Sequence, residues 1–328
     1  MRTYAAYYDN KIRMESSSGG IFSLLASRFE VVYGVGMTED CYGAEVVRVE
    51  GDLSPLRGSK YFQAKAGDAF RQARLDLDEG RQVLFSGTGC QINGLHMFLQ
   101  KKYPNLFTVD VVCHGVPSPK LWKKYVICQE SRYGKLKSVS FRCKDAGWQD
   151  FGMKENQLYI SKDDDSFMRM FLRDYCLRPS CYECRAKRYR TSDITIADFW
   201  GIDAVAPEMN DGLGTSLVIT RTDEGQKLFD GMKAELKWKQ VSYGDGVRCN
   251  PSEYMSVARP KERGAFFRDM SCFSFEEMER AYAADMKASV PKEVARKARD
   301  FVKKIIGGGK GIEGDAAYGM LLTFERWD

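Results

Sequence analysis

Residues 106–119 read LFTVDVVCHGVPSP, and the fold is decided there. The run from Leu106 to Cys113 is apolar and rich in valine, which reads as a β-strand. Glycine and proline punctuate the residues after it. Ser118-Pro119 then opens a helix, because proline is tolerated in a helix's first turn. Upstream, residues 31–35 and 83–86 read as further strands, and helical patterns cover residues 20–29, 67–77 and 91–101. Strands and helices alternating in this way predict α/β architecture, with a mainly parallel sheet flanked by helices.

From about residue 135 the pattern changes. Short strand-like pieces at 138–142 and 157–160, a helix at 167–175, strands at 194–197 and 216–220 and a helix at 225–236 predict an α+β region. Residues 275–306 are charged and helix-prone, interrupted by Pro291 and broken by Gly307-Gly308-Gly309. The expected organisation is an α/β region over 1–134, a second, cluster-binding region over 135–270 and a helical C-terminal tail over 271–328.

Composition narrows the functional classes. The 328-residue chain is 44% hydrophobic and 29% charged, ordinary for a soluble globular protein. No stretch approaches the roughly 20 apolar residues of a membrane span, and the N-terminus has no apolar core of signal-peptide type. A cytoplasmic protein is expected. Fifty basic residues against 45 acidic ones leave a net charge of +5, too mild an excess to mark a nucleic-acid binder. Arg185, Lys187, Arg188 and Arg190 gather locally, either as a solvated face or as a dock for an acidic electron donor.

Ten cysteines are many for such a chain, and without a secretory signal they are not expected to pair as disulfides. Cys41, Cys128, Cys143, Cys249 and Cys272 stand alone and read as packing residues. The segment CLRPSCYEC, residues 176–184, places Cys176, Cys181 and Cys184 in a C-x4-C-x2-C array. A compact trio completed by a distant fourth thiolate is a common way to hold an iron–sulfur cluster. Pro179 and Ser180 suit the turn that brings Cys176 back toward the pair. Cys113 and Cys90 are the candidates for the fourth ligand, since each follows a predicted strand, where parallel sheets place their ligand sites. Cys113 is preferred, which leaves Cys90 as a redox-active or substrate-facing thiol. The alternative occupant is a structural zinc on the same sulfurs. The spacing itself does not separate a [2Fe–2S] from a [4Fe–4S] centre. Only two histidines are present, which disfavours a His-rich metal site; His114, next to Cys113, is a candidate proton carrier.

Three loops suggest a phosphate-bearing ligand. Ser16, Ser17, Ser18, Gly19 and Gly20 precede an apolar helix. Serines there would cap its free amides, glycines admit a ligand, and the helix's positive end favours phosphate. Arg57, Ser59, Lys60 and Tyr61 form a second loop, basic and aromatic. Thr88 lies in SGTGCQ, which closes a strand and opens a helix without matching G-x-G-x-x-G. Asp198, with Phe199 and Trp200, follows a strand and is placed to line a pocket. These loops do not by themselves name a cofactor.

Eight segments in order, SSSGGIF, RGSKYFQ, LFSGTGCQINGL, DVVCHGVPSPKLW, FRCKDAGW, LRPSCYECRAK, SDITIADFWGI and GTSLVI, resemble the bacterial branch of the coenzyme F420 hydrogenase/dehydrogenase beta-subunit family. The resemblance spans residues 4–268. It implies an FAD-binding α/β protein with a [4Fe–4S] cluster, an oxidoreductase that moves electrons between a ferredoxin-type carrier and a small organic acceptor. It also implies FAD contacts at residues 16–20 and 57–61, cluster ligands at Cys181 and Cys184, and Cys176 and Cys113 as their partners. Cys90 matches the cysteine of the family's G-T-P-C-Q motif, and Gly89 replaces the proline, which predicts a looser loop. Many relatives begin with a ferredoxin-like domain that this sequence lacks, so a separate ferredoxin or ferredoxin-like donor is expected. A non-catalytic electron-transfer subunit of a larger complex is the alternative role.

Overall fold

Among the described residues, eleven strands build two sheets: β1 (Arg2–Tyr7), β2 (Val31–Met37), β3 (Ala44–Val49), β4 (Val83–Thr88), β5 (Leu106–Val111), β6 (Val139–Cys143), β7 (Gly152–Glu155), β8 (Leu158–Ser161), β9 (Ile194–Asp198), β10 (Ser216–Thr220) and β11 (Lys237–Val241). The computed structural model describes residues 1–284; the expected tail beyond residue 284 lies outside the described residues. The larger sheet has the order β11-β1-β10-β9-β5-β4-β2-β3. Its centre, β9-β5-β4-β2, is parallel. Antiparallel strands extend it, β3 on one flank and β10, β1 and β11 on the other. The α/β architecture anticipated from residues 106–119 is what forms, and the sheet takes strands from both sides of residue 135.

Period-two alternation explains how the sheet is covered. Val31, Tyr33, Val83 and Phe85 pack on one face with Ala69, Ala73 and Leu77 of the helix Ala69–Asp78 and with Ile92, Leu95 and Leu99 of the helix Gly89–Leu99. Val32, Leu84, Phe107 and Val109 face the other way, against Ile21, Leu24 and Leu25 of the helix Ile21–Ala26. Successive side chains of a strand point to opposite faces, so a strand buried on both reads as a continuous apolar run.

The smaller antiparallel sheet, β6-β7-β8, packs with the helices Pro119–Tyr133 and Ser166–Leu172 around an aromatic cluster. Phe62 stacks on Trp122 with ring centroids 4.9 Å apart, and Phe141 and Phe167 close around the indole.

Within this cluster lies a polar exception. The Tyr125 hydroxyl sits between the carboxylates of Glu155 and Asp165, the latter at 2.6 Å, and Gln129 donates to Glu155 at 2.8 Å. One hydroxyl hydrogen cannot serve two carboxylates, so burial favours a proton on the acid pair. Burial accordingly raises both acids, Asp165 to about 6. Asp165 also accepts the Met168 amide at 2.7 Å and so caps its helix.

A carboxyl whose folded pKa lies above its unfolded value of 3.8 adds stability that is complete below that value and is lost as pH rises through the folded one. The Asp165 contribution should therefore disappear between about pH 4 and pH 7. Urea midpoints measured across that range should fall in the wild type relative to Asp165→Asn, which keeps the helix cap and cannot ionise.

Candidate functional site

The carboxyl ends of β4 and β5 open into a cavity of about 860 Å³. Loops after parallel strands are where an open α/β sheet places its ligands. Ser16, Ser17, Ser18, Gly20, Arg57, Ser59, Lys60, Tyr61, Thr88, Cys90, Cys113, His114 and Asp198 all line it. Thirteen residues singled out from separate stretches of sequence thus meet on one wall system.

The serine loop does not work as its sequence suggests. The helix Ile21–Ala26 begins at Gly20, whose φ of +77° is left-handed, and no side chain caps it. Ser16 instead donates to the Ile12 carbonyl at 2.7 Å and Ser18 to the Thr215 carbonyl at 2.8 Å. Gly19 does not line the cavity. A β-carbon there would lie 2.6 Å from the Ala6 carbonyl oxygen and 2.8 Å from the Ser216 amide nitrogen, so glycine is needed to seat the loop on β1 and β10. Lys144 fixes the loop from behind. Its buried Nζ donates to the carbonyls of Arg13, Ser18 and Leu213 at 2.7–2.9 Å, and burial pulls its pKa to about 7.

The second loop is tied to the first. The Ser59 amide donates to Ser17 Oγ at 2.9 Å, and the two hydroxyls are also 2.9 Å apart. Arg57 pairs with Glu15 and reaches Ser23 Oγ at 3.2 Å. Lys60 donates to the Arg57 carbonyl at 2.7 Å and has no carboxylate partner among the described residues; burial lowers its pKa to about 8. Two hydroxyls, a guanidinium and an ammonium therefore share one rim, a donor set suited to an anion.

The cysteines divide. Cys113 lies within the electrostatic reach of Cys181, Cys90 and Cys184, and burial followed by these neighbours pushes its thiol up to about 12. Cys181 feels Cys184 and Cys90 in turn, and its sulfur accepts the Val116 amide at 3.3 Å. Lys187 stands among them, its pKa lowered by burial and opposed by Cys113 and Cys184. Cys176 is elsewhere. Its segment pairs with the loop after β5 through a Pro117–Leu177 bridge, with the Ser118 amide donating to the Cys176 carbonyl at 2.9 Å. An extended segment alternates its side chains, and Cys176 points into the aromatic cluster, fully buried, its thiol 3.8 Å from the Met170 carbonyl. The structure thus brings Cys90, Cys113, Cys181 and Cys184 together and leaves Cys176 in the core. As the side chains stand, no group of three or more Cys, His, Asp or Glu among the described residues is arranged to hold a metal ion.

His114 turns to Asp174, Nε2 to Oδ1 at 2.6 Å, with its ring edge-on to Phe171. Asp198 pairs with Arg142, Nη1 to Oδ2 at 2.9 Å. Sequence reading did not single out Arg142 as a site residue. It was visible only as the lone guanidinium in the aromatic-flanked segment FRCKDAGW. It lies 3.8 Å from the Phe151 ring centroid and 5.1 Å from that of Trp200. Arg142 Nε and Nη2 and Asp198 Oδ1 are buried with no hydrogen-bond partner.

The SGTGCQ loop is tighter than the Gly89 substitution suggested. Thr88 and Gln91 form a reciprocal capping box on the helix Gly89–Leu99. A β-carbon on Gly89 would lie 2.9 Å from Asp110 Oδ2 and 3.2 Å from Arg190 Nη1. These atoms belong to a buried ion pair and have little freedom to move aside.

The family model for the C terminus of the coenzyme F420 hydrogenase/dehydrogenase beta subunit matches residues 80–243. That span covers Cys90, Cys113, Cys176, Cys181, Cys184 and β4 through β11. Among solved structures, a chain of the F420-reducing [NiFe] hydrogenase complex from Methanosarcina barkeri is similar in fold. It is 15% identical, with a TM-score of 0.53, over 86% of this chain and 90% of that one. No curated protein sequence matches. No helix among the described residues is long and apolar enough to cross a membrane.

Gly89→Ala should destabilise the protein by about 1–3 kcal/mol, the usual range for overpacking a rigid site. A urea unfolding curve would show it, and an unchanged midpoint would mean the Asp110–Arg190 pair yields freely.

Proposed function

Because this chain belongs to the coenzyme F420 hydrogenase/dehydrogenase beta-subunit family, we propose that it is an iron–sulfur flavoprotein oxidoreductase passing electrons between a ferredoxin-type carrier and a small organic acceptor. The observation that carries this reading is a single cavity that is lined by both Cys90 and Cys113 and by the serine and basic loops.

The residues fit both groups in type and number. Cys90, Cys113, Cys181 and Cys184 would supply the four thiolates that a [4Fe–4S] cluster takes. Ser17, Ser59, Arg57 and Lys60 would hold the pyrophosphate of FAD. When bound, the pair of cofactors supplies the exchange between one-electron and two-electron chemistry. The protein's own part is positioning and electrostatics. Lys187 places positive charge beside Cys113 and opposes part of the rise that burial gives its thiol. The Val116 amide on the Cys181 sulfur and the Ser256 hydroxyl, which accepts the Cys184 amide at 2.9 Å, hold the two ligands of the 176–184 segment in place. His114, oriented by Asp174, stands at the cavity as a proton carrier for the acceptor.

Arg185 and Arg188 are exposed beside this segment and would meet an acidic donor. Residues 253–256 pack against the same stretch, through Lys187 to the Met255 carbonyl and Arg190 to the Glu253 carbonyl, both at 2.8 Å. Tyr189, Tyr254 and Met255 are 71%, 49% and 56% exposed there. An apolar and basic face of this kind also favours the second reading, an electron-transfer subunit that hands electrons to a stable protein partner.

Iron, sulfide and flavin should be quantified on protein purified without oxygen. About four iron atoms and one FAD per chain are expected. Cys90→Ser, Cys113→Ser, Cys181→Ser and Cys184→Ser should each lose most of the iron while keeping flavin, whereas Cys176→Ser should keep the iron and lower the thermal midpoint. Zinc without flavin would overturn the proposal. Turnover of small acceptors only in the presence of a co-purifying partner would select the second reading.

A further inference from the structure

Resting on the flavin reading just given, we propose that Arg142 and Asp198 recognise the imide edge of a planar heterocycle, the C(=O)–NH–C(=O) face carried by flavins and deazaflavins alike. Both residues line the cavity, and so do Phe151 and Trp200, whose rings flank the guanidinium. Trp200 is itself stacked on Trp148, 5.2 Å between centroids and 7° from parallel. Flat aromatic walls of this kind suit a flat ligand.

The polar atoms decide which flat ligand. Arg142 spends Nη1 on Asp198 and is left with two buried donors, Nε and Nη2. Asp198 spends Oδ2 on Arg142 and is left with one buried acceptor, Oδ1. The Arg142 side chain is only 4% exposed, so solvent does not satisfy it. A buried polar atom without a partner is costly, so a ligand that satisfies these atoms gains affinity from each.

The pair is already neutral as a unit. An anionic group brought to the Arg142 donors would meet the Asp198 carboxylate, and a cation brought to Asp198 would meet the guanidinium. A neutral group that offers an acceptor beside a donor satisfies both. The imide does this, with carbonyl oxygens for Arg142 and an N–H for Asp198 Oδ1. The anion-binding donors of the cavity are on the other loops, Ser17, Arg57, Ser59 and Lys60, so the two ends of a dinucleotide flavin are read by different chemistry.

The test is a fluorescence titration of the full chain with FAD and with FAD methylated at N3, repeated with a deazaflavin and its N3-methyl form. Methylation removes the imide N–H donor and puts a methyl group in its place, keeping both carbonyls. Binding to the wild type should weaken about tenfold to a hundredfold, as expected for one buried hydrogen bond to a charged group. In Asp198→Asn the carbonyl stays toward Arg142 Nη1 and the amide nitrogen replaces Oδ1, so parent and methylated forms should bind about equally, both weakly. If that variant does not fold, as judged by its thermal midpoint, the wild-type comparison still decides. Discrimination in only one ligand pair supports the inference and names the source of the edge. Equal binding of parent and methylated forms to the wild type overturns it while leaving the flavin reading intact. Failure of the chain to bind either parent ligand overturns both.

Discussion

The carboxylate of Asp110 is fully buried in the middle of the sheet, and a charge in that position has to be surrounded by donors. Ser192 and Thr195 supply two of them at 2.8 and 2.5 Å, and Arg190 supplies the opposite charge. Arg190 is itself 6% exposed and reaches on to Glu253, which is also held by Arg221. Each member of this chain of charges is tolerable in the interior only because the next one is present. The consequence is positional. Asp110 lies three residues before Cys113, Gly89 packs directly on it next to Cys90, and Arg190 follows Cys184 by six residues. One buried network therefore sets β5, the start of the helix Gly89–Leu99, and the end of the 176–184 segment in a fixed relation.

That relation explains why the thiol neighbourhood was only partly legible. The sequence spacing of Cys176, Cys181 and Cys184 says that three sulfurs are close along the chain, but not which way each points. The pairing of residues 116–118 with residues 176–178 settles the direction, and it is a long-range contact that no local pattern announces. The alternation of an extended segment then sends Cys176 into the core. Cys90 and Cys113 were legible as rivals because both follow strands, and adjacency of β4 and β5 makes them neighbours instead.

The fold was legible where burial is two-sided. β4 opens on Val-Leu-Phe, β5 carries Leu-Phe before its buried Thr108 and Asp110, and β10 holds Leu-Val-Ile; short apolar stretches of that sort have few other readings. β11, KWKQV, was missed because it is an edge strand with lysines along it, which suits solvent exposure and disguises the strand. β1, RTYAAY, was missed for another reason. Only its C-terminal side carries a turn signal, Asp9-Asn10, although Tyr4, Ala5 and Ala6 are fully buried. The serine loop shows the limit of motif logic. Serines before a helix usually cap it, yet here the close approach of Gly19 to β1 and β10 pulls the loop away, and the hydroxyls bond to Ile12, Thr215 and Ser59 instead.

β1 also bears on the order in which the molecule can be built. It pairs with β10 and β11, so Arg2 lies opposite Thr220 and Thr3 opposite Val241. A ribosome delivers this strand more than two hundred residues before its neighbours. The parallel centre β2-β4-β5 can assemble from nearby segments, but the loop at 16–20 hangs from β1 and has no seat until residues 216–241 have emerged. Closing contacts over so long a separation is slow. The serine-loop side of the cavity is thus a late event in folding, and a ligand gripping it would reach its site only after residues 216–241 have been made.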